Sequence, residues 1–206
     1  MVSRVPLLFR REPDVFELLR IHARAVGTCL EAFARWSRTG ETADRDAVRS
    51  TRYSADENHK SLVRALMEVL STPVDREDIY VLSERLQDVA VAAKNIVREA
   101  EALDMRPNDY TAELGRLVAG ATESVVDAVC HLHRNTDASL AAVDAAASAV
   151  HAVDRAYRRA MGSIWDDCAE PRIATARHAV YRRYADLGET VDNVIHRVWY
   201  GILKDT

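Results

Sequence analysis

The stretch Thr72-Pro73-Val74-Asp75-Arg76-Glu77-Asp78-Ile79 stands between two long segments of helical periodicity and decides how both are read. Proline disfavours helical geometry in the residue before it, so Thr72-Pro73 ends the first segment. Asp75 then reads as the N-cap of the next helix. Asp78, three residues on, has the place of the second member of a capping box, and Val74 and Ile79 have the places of a hydrophobic staple. Glu77 and Asp78 also fall in the first turn, where acids complement the helix dipole. The run is therefore read as a firm helix start rather than as a catalytic acid pair.

The same reading carried outward predicts six helices. Pro13 opens the first over 13–38, which Arg38-Thr39-Gly40 ends. Thr42 is expected to cap the second, over 43–71, and the third covers 75–104. Met105-Arg106-Pro107-Asn108 precedes a fourth over 109–133, and Asn135-Thr136-Asp137 a fifth over 138–167. Pro171 opens the sixth, over 171–203. With only 7 Gly and 5 Pro in 206 residues the chain has few breaks, which favours long helices over many short strands. Helices this long with short connections imply antiparallel bundles.

A shift of 98 residues carries Pro73 onto Pro171, Asp56 onto Asp154 and Asp88 onto Asp186. Arg52, Asp56, His59, Val63, Leu66 and Leu70 make a stripe on the second helix; Val150, Asp154, Tyr157, Met161 and Ile164 make one in the same register on the fifth. The pattern is that of a degenerate internal repeat, three helices plus three. The expected fold is all-α: two pseudo-repeated three-helix bundles, residues 1–105 and 106–206, packed as one compact unit.

Composition narrows the function classes. A net charge of −4 argues against a nucleic-acid binder with a basic face. Cys29, Cys130 and Cys168 are an odd set without paired spacing, as in a reducing cytosol. No apolar stretch approaches a membrane span, and the run Val5-Pro6-Leu7-Leu8-Phe9 is too short for a signal peptide. No Gly-rich phosphate loop, Ser-His-Asp arrangement or nucleophile elbow is visible, so no enzymatic activity is expected.

The candidate site is a set of carboxylates. Asp154 sits on an apolar stripe, Asp56 on its repeat counterpart, and the third and sixth helices add Asp88, Asp186 and Glu189. Carboxylates converging from neighbouring helices suit a hard or borderline cation. The competing reading is structural: Arg52 stands one turn before Asp56 and Arg183 three residues before Asp186, each placed for an intrahelical ion pair. Asp56-x-x-His59 is the one acid–histidine pair at helical spacing, whereas a ferritin-like di-iron site needs two. His131 and His133 point to different faces and chelate poorly. Trp36, Trp165, Trp199 and Tyr200 are read as core, with an oligomerisation face as the alternative.

At these residues the chain resembles a known family, the PhoU-like regulators that accompany Pit-type phosphate transporters. The turn Thr72–Ile79 is similar to the family's Thr-Pro-x-Asp-Arg-Glu-Asp-Ile element. Ala185-Asp186-Leu187-Gly188-Glu189-Thr190-Val191-Asp192-Asn193-Val194-Ile195 is similar to its final-helix motif. The resemblance covers nearly the whole chain. It implies two three-helix bundles, a cytoplasmic place (peripheral to the membrane only through its partner), no enzymatic activity, and a Pit-type transporter as partner. Some PhoU-like proteins hold metal clusters through acidic motifs. Here Arg52 and Val150 stand where leading glutamates are expected, and Gln87 and Val91 where two further acids are. Asp56, Asp88, Asp154, Asp186 and Glu189 remain as the implied metal ligands. The expected cofactor set is empty, with a divalent or iron ion at these carboxylates as the alternative. No nucleic-acid partner and no membrane insertion are expected; a homo-oligomer stays open. So do a metal-binding helical-bundle enzyme and a plain helical scaffold or dimerisation module.

Overall fold

The computed structural model describes residues 13–69, 74–167 and 170–204, with the side chains of 165–167 outside that description. The described residues form six helices and no strand: α1 Val15–Thr39, α2 Thr42–Glu68, α3 Arg76–Ala102, α4 Asp109–His131, α5 Thr136–Asp167 and α6 Pro171–Lys204. Leu70, the Thr72-Pro73 break and Cys168 lie outside the described residues.

The helix ends follow from local chemistry. α1 begins at Val15, so Pro13 lies before its first turn; Asp14 caps the helix and accepts the Glu17 backbone N–H at 3.0 Å. Gly40 closes α1 in the left-handed region at φ 65°, returning its N–H to the Trp36 carbonyl. Such a φ carries a steric cost for any residue with a Cβ, which explains the glycine. Thr42 does not cap α2. The N-cap is Glu41, whose side chain makes no capping bond; the Thr39 hydroxyl braces the junction, accepting the Glu41 N–H at 3.1 Å and donating to Asp44 at 2.6 Å. Asp75 caps α3 as expected, accepting from Glu77 N at 3.0 Å. The full capping box occurs instead at α4, where the Asn108 side chain accepts the Thr111 N–H and the Thr111 hydroxyl accepts the Asn108 N–H.

Within each half the three helices pack on one another, and the halves meet along α1–α4 and α3–α6. α2 and α5 lie on opposite flanks and do not touch. One contiguous hydrophobic cluster runs through all six helices, from Leu19 and Phe33 on α1 to Leu187 and Val198 on α6. At the α1–α4 crossing the helices come so close that a Cβ on Gly115 would lie 2.5 Å from Ser37 Cβ.

A polar knot is buried at the same seam. Tyr184 on α6 donates to Ser37 Oγ at 2.7 Å, and Thr111 on α4 donates to the Ser37 carbonyl at 2.9 Å. Asn108 reaches Tyr181 at 2.8 Å. Ser37, Tyr181 and Tyr184 are fully buried, and unpaired polar groups there would each cost about 1–3 kcal/mol. The knot therefore sets how α1, α4 and α6 register.

Candidate functional site

The five candidate carboxylates do not form one donor set. Asp56 on α2 and Asp154 on α5 belong to helices that do not meet. The stripes read as inward are only partly so: Leu66 and Ile164 are buried and Val150, Tyr157 and Met161 pack against the core from its edge, but the buried face of each helix is centred elsewhere. On α5 the buried apolar residues are Val143, Ala146, Val153, Ala156, Ala160 and Ile164; on α2 they are Val48, Ala55, Leu62, Ala65 and Leu66. Asp154 and Asp56 are therefore edge residues, one position (about 100° of helix) away from the centre.

Four of the five carry a cation. Asp56 lies 2.8 Å from Lys60 and 3.6 Å from Arg52. The Lys60 hydrogen bond, with Arg52 adding, holds its carboxyl below the usual aspartate range against partial burial. Asp154 pairs with Arg158 at 2.6 Å and is about half exposed. Asp186 pairs with Arg182 at 3.0 Å and lies 3.7 Å from Arg183. Asp88 points outward, 3.9 Å from Arg85, and Glu189 is exposed. The ion pairs foreseen at Arg52–Asp56 and Arg183–Asp186 are present. Among the described residues no three His, Cys, Asp or Glu side chains gather as a metal would require. A guanidinium or ammonium beside a carboxylate neutralises it and competes with a metal ion for its oxygens, so the donor set does not fit a metal cluster.

The sequence reading passed over a buried network in the first half. His22 on α1 is fully buried. Its Nδ1 meets Ser83 Oγ on α3 at 2.9 Å and its Nε2 meets Gln87 Oε1 at 3.2 Å. His59 on α2 meets the same Ser83 Oγ through Nδ1 at 2.8 Å, and Gln87 donates on to Asp56 at 3.3 Å. Burial drives the His22 pKa down to about 4, against the Gln87 hydrogen bond and with a small push from His59. A neutral His22 allows one direction of donation: His59 Nδ1–H to Ser83, Ser83 O–H to His22, His22 Nε2–H to Gln87, and Gln87 N–H to Asp56. Each helix of the first half contributes a link. Ser83 between two imidazoles has the makings of an activated nucleophile, but it is fully buried, so its role is to tie three helices together. A signal was present in the sequence: His22 and Gln87 occur at core spacing on helices otherwise apolar there.

Asp78 is the other departure. Its carboxylate joins no capping box. It reaches across to the end of α6, 2.5 Å from both Arg197 and Lys204, whose cations lie over the Tyr200 ring. Burial pushes this carboxyl up, but Lys204 and Arg197 outweigh it and hold it low. Of the tryptophans, Trp36 is buried and Trp199 is 37% exposed, beside Tyr200 at 42%; Trp165 lies outside the described side chains. No helix among the described residues is long and apolar enough to cross a membrane.

No protein-family model matches the chain, and no curated protein matches it. Solved structures do. A PhoU-like protein from Shewanella oneidensis MR-1 superposes with a TM-score of 0.75 at 16% identity, over 92% of this chain and 99% of that one. A second protein from that organism, described as PhoU-like and phosphate-regulatory, superposes with a TM-score of 0.69, also at 16% identity and over 92% and 99% of the two chains. The chain thus has the all-helical fold of these PhoU-like proteins, carried on a largely different sequence.

Proposed function

We propose that the chain is a non-enzymatic accessory of inorganic phosphate uptake, acting in the cytoplasm by docking helix faces on the cytosolic side of a Pit-type phosphate transporter. The observation that carries this reading is the whole-chain match to PhoU-like structures, one of them described as phosphate-regulatory. The near-complete Thr72–Ile79 element supports it from the sequence side. Protein contact rather than chemistry is favoured because Ser83, the best-activated hydroxyl described, is sealed in the core. The cations beside Asp56, Asp154 and Asp186 speak against the metal-enzyme alternative.

The test is affinity purification of the tagged chain from native membranes, with phosphate uptake measured in cells with and without it. Enrichment of a Pit-type transporter over a mock purification, with uptake altered in its absence, is the expected result. A transporter recovered no better than in the mock, with uptake unchanged, ends this reading.

A further inference from the structure

We infer that the α2–α3 seam around Arg52 and Lys94 is a binding site for a phosphate-type oxyanion. The two helices run antiparallel and are laced by paired residues. Glu101 on α3 takes Arg45 at 3.0 Å and Arg49 at 3.2 Å from α2. Farther along, Gln87 takes Asp56 and Ser83 takes His59. Between these rungs the register brings Arg52 opposite Lys94, a cation facing a cation. Arg49 and Arg98 flank them, near enough that all three guanidiniums act on the Lys94 ammonium.

Like charges across a packed seam are unfavourable unless something negative lies between them. The protein supplies one carboxylate there, Asp56, which acts on both Arg52 and Lys94 but is itself shared with Lys60. Lys94 and Arg98 form no ion pair among the described residues. Arg52 has only the 3.6 Å contact to Asp56, whose short contact goes to Lys60. The Arg52 Nε is buried and has no hydrogen-bond partner, so a donor is held out of water with nothing to receive it. Lys94 is itself partly buried. A tetrahedral oxyanion answers each of these: it accepts from Arg52, neutralises Lys94, and draws Arg98 from the rim. The inference rests on these cations and not on the transporter reading.

The experiment is calorimetric titration of inorganic phosphate into the full chain at constant ionic strength, with chloride as the reference anion. Saturable binding is expected. Arg52→Gln and Lys94→Gln should each weaken it by about tenfold or more, the worth of one charge-assisted hydrogen bond. Lys94→Arg should keep most of the affinity. Arg106→Gln, a cation on another face, should change nothing, and circular dichroism confirms that each variant is folded. No saturable binding, or equal loss in all four variants, overturns the inference. So does Lys94→Arg binding no better than Lys94→Gln. None of these failures bears on whether a transporter is recovered from membranes.

Discussion

At the scale of single residues, His22 makes the sharpest statement. It titrates near pH 4 in the folded chain and near 6.5 when unfolded. Between those values the unfolded state binds more protons, so stability is lost as pH falls through the window. The loss reaches about 3 kcal/mol if the whole shift is realised. Urea midpoints measured from pH 7 to pH 4 should fall accordingly, and His22→Asn should flatten the slope within that window. An unchanged slope in the variant would assign it to other groups. Asp78 and Asp56, held low by their cations, contribute stability that is lost only at more acid pH. The paired acids of the second half behave differently. Asp154 and Asp186 are partly exposed and their arginine partners are exposed, and such surface pairs contribute about 0–1 kcal/mol. Asp154→Ala and Asp186→Ala should keep the melting temperature near wild type and leave elemental metal content unchanged. A loss of bound metal in either would restore the metal-centred reading.

At the scale of elements, the Thr72–Ile79 element shows how far local rules reach. Asp75 caps α3 as its position demands. Asp78 was legible as a first-turn acid, but its partners are 119 and 126 residues away on α6, and no local rule finds them. The α1–α4 crossing makes a matched prediction. Gly115→Ala would drive a Cβ into Ser37 and should destabilise by about 1–3 kcal/mol, as overpacking does. Gly120→Ala on the same helix meets nothing within 4 Å and should stabilise by roughly 0.5–1 kcal/mol, since alanine is the better helix former. Thermal melts of the two variants should move in opposite directions, and a shared direction would show that the crossing is looser than described.

At the scale of the molecule, three devices span the two halves: the continuous core, the Ser37–Thr111–Tyr184 knot, and the Asp78–Arg197–Lys204 bridge. Their joint consequence is cooperative unfolding. A single calorimetric transition is expected. Asp78→Asn should lower its midpoint and cost about 1–3 kcal/mol, because the mostly buried Arg197 then loses its carboxylate, the exposed Lys204 adding little. Two separated transitions in the wild-type chain would mean that the seam contributes little.

Helix number, helix ends to within a few residues, and the all-α class were legible in the sequence because they depend on neighbours: a proline's effect on the residue before it, an aspartate's reach to the next turn, apolar spacing along one helix. Tertiary structure alone decided which face of α2 and α5 turns inward, and so left Asp56 and Asp154 at the edge. Neighbouring residues differ by about 100° around a helix, and only the packed partners select the angle. It also decided that His22, Ser83 and Gln87 meet, and that Arg52 faces Lys94. Those contacts join residues far apart in the chain, whose relative placement comes from burying one shared core rather than from any local pattern.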